Sequence, residues 1–344
     1  LSACARNLPR DAAVSAVSLP EKNADNTSKA KIDPDVIQNV ESNVKDVISI
    51  AQTLLLLNRV MGCTGAAIKG SHSMRVVDLG ILDLPLMIFG GPYSNLQALL
   101  ALKAVAAEQN IARSQMICTG DSVAYCADPA DTVAHLRGFG CPVVAGNVEK
   151  QLAENALDCG CGFEQNSTCD RLSAGWFAHA DTAIDAEARA WMATLPDVAI
   201  FTQAGKRFAV IHGGVTDVSR FIWSNSPEDV FLEEIAALNA LVGPIDGILA
   251  GHSGIGFQRQ IADTIWINAG VIGMPANNGE PYTQYALLTA GQADIKSLNY
   301  DHEQAAAEMK HAGLTQGYHT ALIDGHWPSE DVLPPTLRRD FEPT

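Results

Sequence analysis

Gln115-Met-Ile-Cys-Thr-Gly-Asp121 is a short apolar run that ends in a glycine and a carboxylate, and the reading of this stretch decides the fold. A run of this length, bounded by turn residues, has the form of a buried strand. The same form recurs in Pro142-Val-Val-Ala-Gly-Asn147, in Arg207-Phe-Ala-Val-Ile-His-Gly-Gly214 and in Gly247-Ile-Leu-Ala-Gly-His252. Each run delivers one side chain able to bind a metal, with glycine just before Asp121, Asn147 and His252 and just after His212. Such side chains sit where α/β sheets build their sites, and the neighbouring glycine lets backbones approach closely.

Working outward, strand-like runs alternate with helical patterns from Met74 onward. Pro85 to Phe89 is followed by a helix over Asn95 to Gln109, a strand at Gln115 to Cys118, a helix over Asp128 to Gly138 and a strand at Pro142 to Ala145. This alternation predicts parallel strands with crossover helices. One long helix is expected from Cys169 to Leu195, then a hairpin of Val198 to Thr202 and Arg207 to Ile211 around Ala204-Gly205, and another helix from Pro227 to Leu241. Strands at Gly247 to Ala250, Thr264 to Asn268 and Tyr285 to Leu288 make the second half look more antiparallel. The two halves are expected to pack their sheets together.

Composition bounds the function. Of 344 residues, 47% are hydrophobic and 18% charged, enough for a sizeable core. A formal charge of -16 argues against nucleic-acid binding, which needs clustered Lys and Arg to displace counterions. No run of 18 apolar residues suggests a membrane span, and eight cysteines in a chain of this length do not make a disulfide scaffold, so a reducing cytoplasm is the default.

Residues 1–73 change character twice and end in a Gly-rich connector, Lys69-Gly70-Ser71-His72-Ser73, that resembles the junction left by a fusion. They read as an N-terminal extension, helical or partly disordered and in part fusion-derived. Residues 74–344 read as one domain with a Pro-rich C-terminal tail from Pro328.

In order, spacing and flanks the strand-end motifs resemble the calcineurin-like metallophosphoesterases, in particular the bacterial branch of phosphodiesterases and diadenosine-tetraphosphatase-like enzymes. The resemblance runs from about Leu84 to Leu288 and rests on Gly91-Pro92-Tyr93-Ser94-Asn95, Gly120-Asp121, Gly146-Asn147-Val148-Glu149, His212-Gly213 and Gly251-His252-Ser253-Gly254. It implies a four-layer αββα sandwich of two packed mixed sheets flanked by helices. It also implies that Asp121, Asn147, His212 and His252 hold one metal, while the residues expected for the other metal are replaced at Gly91, Tyr93 and Gly254. Val148 stands where the family carries a histidine thought to act at the leaving group or transition state.

The implied site is therefore mononuclear, with a degenerate first metal position. A mixed oxygen and nitrogen set suits one divalent Mn, Fe, Zn or Ni ion. The reaction expected is attack of metal-activated water on a small phosphomonoester or phosphodiester, with Glu149 as a further catalytic residue. Tyr93, Ser94 and Asn95 would bind substrate, their backbone N–H groups and hydroxyls reaching a phosphate oxygen; the alternative is a tight strand-to-helix turn with Asn95 or Ser94 as N-cap. A competing reading is a non-catalytic or regulatory descendant that binds a nucleotide or another phosphorylated ligand. Taken singly, Asp121 and Asn147 also suit turns, and His212 and His252 suit a hydrogen-bonded core. Cys159, Cys161 and Cys169 form a candidate second thiolate cluster, although their spacing fits no standard zinc or iron–sulfur pattern and a structural or disulfide role is the alternative.

Overall fold

The computed structural model describes residues 74–339. The expected N-terminal extension and the last five residues of the tail lie outside the described residues. Among the described residues, ten strands form two mixed sheets. The smaller has β2 (Leu86–Phe89), β3 (Met116–Cys118), β9 (Thr283–Thr289) and β10 (Gln292–Leu298) in the order β10-β9-β2-β3. The larger has β1 (Val76–Ile81), β4 (Val198–Gln203), β5 (Lys206–Val210), β6 (Gly247–Ala250), β7 (Phe257–Ile261) and β8 (Thr264–Asn268) in the order β1-β4-β5-β6-β8-β7.

Alternation along the strands explains why the sheets stack. Leu86, Ile88 and Ile117 point to one face of the small sheet and meet Phe201, Phe208, Val210, Leu249 and Ile267 of the large one. Their neighbours Met87, Phe89 and Met116 point the other way, onto Leu99, Leu102 and Ala106 of α1 (Leu96–Glu108) and Leu136 of α2 (Pro129–Phe139). On the far side, Ile200, Ala209, Ile211 and Ile248 bury against Phe231, Ile235 and Leu238 of α6 (Glu228–Val242). Period-2 strands with both faces apolar can be satisfied only by a layer on each side. The result is helix, sheet, sheet, helix, as the sequence implies.

Four expectations change. The long helix divides into α4 (Thr168–Ala183) and α5 (Ala186–Met192), because Ile184 is extended and the Asp185 carboxylate caps the second helix by accepting from Ala188 N at 2.7 Å. The strand expected at Pro142 to Ala145 is a single parallel bridge, Cys118 to Val143, after which Ala145 N leaves the sheet to donate to Pro196 O. The sheets do not follow the halves of the sequence: β9 pairs antiparallel with β2, so the C-terminal strands complete the N-terminal sheet. The second half is also mixed, since β5, β6 and β8 run parallel to one another. The hairpin is as expected, with Ala204 and Gly205 both left-handed at φ 50° and 75° between paired Gln203 and Lys206.

Parallel pairing aligns the ends that matter. Phe89 lies beside Cys118, Val210 beside Leu249 and Ala250 beside Asn268. The loops that follow β2, β3, β5 and β6 therefore open toward one rim. There α4, with α3 (Asn147–Ala153), α7 (His302–His311) and α8 (Tyr318–Asp324), packs a separate cluster around Tyr93, Val123, Val148, Trp176, Met309 and Leu322. Among the described residues, no helix is long and apolar enough to cross a membrane. If the shared layer holds the sheets together, Phe208→Ala, which removes a fully buried ring stacked on Phe201, is expected to cost about 3–5 kcal/mol in urea unfolding. A loss below about 1 kcal/mol would show that this layer does not carry the packing.

Candidate metal centre

Asp121, His212 and His252 lie two or three residues past β3, β5 and β6, and Asn147 opens α3. All four are buried. Asp121 and His252 adopt left-handed backbone, at φ 55° and 61°, which costs on the order of 1–3 kcal/mol each unless the surroundings impose it. Glu149 supplies part of that constraint. Its buried carboxylate accepts from Asp121 N at 2.9 Å, Gly146 N at 2.8 Å, and Ser122 N and Oγ at 2.6 Å each, tying the second and third loops to one point. Gly146 permits the approach, since a Cβ there would fall on the Asp121 carboxylate.

The four side chains aim lone pairs at one volume. His212 Nδ1 is 2.6 Å from Thr119 O, so that nitrogen carries the proton and donates it, leaving Nε2 facing inward. His212 Nε2 stands 3.1 Å from Asn147 Oδ1, 3.0 Å from His252 Nδ1 and 3.2 Å from Asp121 Oδ2. His252 Nδ1 is 3.9 Å from the same Asp121 oxygen. Asn147 Nδ2 donates to Cys159 O at 2.9 Å, which turns Oδ1 toward the group. With ligand bonds of about 2.0–2.2 Å, neighbouring donor atoms lie roughly 3.0–3.6 Å apart, so the spacing and the chemistry of the set both fit one transition-metal ion. Acceptors held this close need a cation or a proton between them.

Without a metal the proton does that work. Burial opposes ionisation of Asp121, but the charge and hydrogen bonds of His212 and His252 hold its carboxyl well below the usual range. Burial likewise opposes charging of His212, yet Asp121 outweighs it and raises the imidazole pKa. His252, buried and beside His212, is lowered.

The other sequence-predicted residues separate into three groups. Glu149 is a positioning residue rather than a substrate-facing one, because backbone and Ser122 donors surround its carboxylate; burial and the Asp121 charge raise its pKa. Ser94 and Asn95 do not line open space either. Asn95 caps α1 through Ala98 N and donates to Gly273 O, while Ser94 Oγ accepts from Ala124 N. Tyr93 does face a cleft, and burial with Asp121 and Glu149 nearby keeps its phenol protonated. The three cysteines do not act as one cluster: Cys159 and Cys161 form a disulfide, and Cys169 is free and buried. Among the described residues, the one group of His, Cys and acidic side chains with metal-binding spacing is Asp121, His212 and His252.

The surroundings of Gly91 and Gly254 are mostly carbon. A Cβ on Gly91 would lie 2.6 Å from Tyr93 Cζ and 2.8 Å from Val271 Cγ1, and one on Gly254 would lie 3.3 Å from Trp327 Cζ2. Val148 is fully buried. Tyr93, Val271 and Trp327 line the cleft together with Phe163, Phe221 and Tyr318. Sequence reasoning missed Phe163, Phe221 and Trp327, which come from three distant loops; the alternate aromatics Phe221 and Trp223 were the only local signal. It also missed Thr119, whose carbonyl fixes the His212 tautomer.

Two outcomes follow for the metal-free and metal-loaded protein. A metal must displace the proton that Asp121 helps His212 to hold, so apparent Mn affinity is expected to rise with pH by up to about tenfold per unit, then level off once His212 is neutral. Calorimetric titration across about pH 5 to 9 checks this, and a flat profile would remove His212 from the ligand set. In the metal-free protein the sign reverses: the raised imidazole pKa gives stability that is present at low pH and lost as pH rises through the folded value. Glu149→Gln puts an amide N–H against backbone donors and is expected to weaken metal binding by about 10–100-fold.

No protein-family model matches the chain, and no curated protein matches it. Solved structures do. A metallophosphoesterase from Sphaerobacter thermophilus superposes with a TM-score of 0.54 at 20% identity, covering 71% of this chain and 100% of its own. A hypothetical protein from Pyrococcus horikoshii gives a TM-score of 0.58 at 14% identity, covering 70% of this chain and 97% of its own. The strand-end site thus stands on a scaffold shared with these structures, and the chain has the metallophosphoesterase fold.

Proposed function

We propose that the protein is a single-metal hydrolase of small phosphoesters, using one divalent Mn, Fe, Zn or Ni ion held by Asp121, Asn147, His212 and His252. The observation that carries this reading is the convergence of four inward lone pairs within 3.0–3.9 Å beside a cleft. When bound, the ion supplies a Lewis acid that polarises a phosphoryl oxygen and acidifies a water. The chain supplies the rest. Asp121 offsets part of the ion's charge, the N–H of His212 Nδ1 holds the ring against Thr119 O, and Glu149 fixes the Asp121 loop. His252 forms part of the cleft wall, so one face of the ligand group meets incoming substrate.

What the site lacks shapes the reaction. Val148 offers no proton to a leaving group, and such a donor typically contributes about 10²–10⁴ in rate. Esters whose leaving groups depart unprotonated are therefore the expected substrates. The same gap supports a second reading, a phosphate- or nucleotide-binding descendant that keeps the ion without turnover.

Elemental analysis of protein prepared without chelator, followed by assays of aryl phosphomonoesters and phosphodiesters with added Mn, separates the readings. Bound metal with turnover that falls at least about 100-fold in Asp121→Ala is the expected result. Absence of metal, or equal rates in the variant, would overturn the proposal. Metal without turnover favours the binding protein, and a gain in rate on Val148→His would then locate the lost step at the leaving group.

A further inference from the structure

The cleft that reaches His252 is walled by rings. Tyr93, Phe163, Phe221, Tyr318 and Trp327 line it. The rings are ordered against each other and against the ligand group. Phe221 lies 4.3 Å from the His252 ring and stacks with Phe163 at 5.9 Å, while Trp223 stacks behind it at 5.6 Å. Trp327 is pinned by two hydrogen bonds, from Nε1 to Pro275 O and from its backbone N to Asn277 Oδ1, both 2.7 Å. Tyr93 meets Tyr125 edge to face at 4.8 Å. Fixed aromatic walls of this kind cannot hydrate a charged group, but they hold a flat ring well.

Charge points the same way. Among the described residues, no Lys or Arg lines the cleft. The nearby basic side chains are engaged elsewhere: Arg220 with Glu233 and Glu234, and Lys150 with Asp197. The site itself carries the Asp121 and Glu149 carboxylates, so one divalent ion would bring it only to about neutrality. A dianion would enter without a counter-charge in a poorly hydrated space, which is costly. A monoanion asks far less, because the desolvation cost grows with the square of the charge, and it can contribute ring burial besides.

We infer that the cleft is a subsite for an aromatic ring, built by Tyr93, Phe163, Phe221 and Trp327 where the first metal would otherwise lie, and that it selects a singly charged ester carrying that ring. This rests on the single-metal reading for the position of the anionic group, while the ring subsite is a property of the walls themselves.

Three probes separate ring from charge: diphenyl phosphate, dimethyl phosphate and phenyl phosphate at about pH 8, where the last is a dianion. Binding to the full-length chain is measured by calorimetry with Mn, and by quenching of tryptophan emission with and without it. Diphenyl phosphate is expected to bind at least about tenfold more tightly than dimethyl phosphate, since one buried phenyl ring accounts for that much. It is expected to exceed phenyl phosphate as well. Phe163→Leu, at a half-buried position that should leave the fold intact, is expected to weaken diphenyl phosphate about fivefold without changing dimethyl phosphate.

Equal binding of the diphenyl and dimethyl esters would overturn the ring subsite, and tighter binding of phenyl phosphate would overturn the charge selection. A separate Mn titration keeps the two ideas apart. If Mn does not bind, the single-metal reading fails, while the ring preference is still read in the metal-free protein by quenching. If Mn binds and the ring preference is missing, only this inference fails.

Discussion

A buried carboxylate with four donors around it is the interaction on which the centre depends. The loops after β3 and before α3 leave backbone N–H groups at Asp121, Ser122 and Gly146 that no strand can pair and no water can reach, and each would cost free energy if left unmade. Glu149 accepts all three, and the Ser122 hydroxyl as well. Glu234 does the same on the other side of the rim, where it takes the N–H groups of Val215 and Thr216 beyond His212 and pairs with Arg220. Two carboxylates with no exposed surface thus do for the loops what ladder hydrogen bonds do for the strands. Burying a charge is tolerable there because charge-assisted bonds from several donors replace its water.

That support lets the site hold an arrangement that would not survive alone. Asp121 and His252 keep left-handed backbone, and three acceptors crowd His212 Nε2. Backbone strain and crowded lone pairs are stored where the surrounding structure over-determines them, and a cation resolves the second. The tautomer is set one step further out, by Thr119 O. Ligand, second partner and loop anchor come from the ends of neighbouring strands in two different sheets, which is why the packing of the sheets and the geometry of the centre are one problem.

The glycines at 91 and 254 do not leave a hole beside the ligand group. Tyr93, Val271 and Trp327 close the volume that side chains at 91 and 254 would enter, so that volume presents apolar surface. A second ion would clamp both attacking and leaving oxygens; rings can instead orient an apolar group beside a single ion.

The chain's own order of residues pointed to the layers and to four side chains at the strand ends that the structure brings together. Strands apolar on both faces, such as Leu86 to Phe89 and Gly247 to Ala250, can only be interior, and a Gly-Asp, Gly-Asn, His-Gly or Gly-His step at their ends marks the rim. The edge strands β1, β7 and β10 escaped that reading, because β7 and β10 carry polar residues toward solvent and β1 is interrupted by Asp78 and Gly80; such strands are defined by the partner they pair with. Only the tertiary structure decided that β9 closes the first sheet, that the Glu149 carboxylate takes the backbone N–H groups of Asp121, Ser122 and Gly146, and that Phe163, Phe221 and Trp327 line one cleft with His252. The reason is one of range: periodicity reports how a residue sits relative to its neighbours along the chain, whereas hydrogen bonds such as Glu149 to Asp121 and aromatic contacts such as Phe163 to Phe221 join separate segments once the sheets have packed.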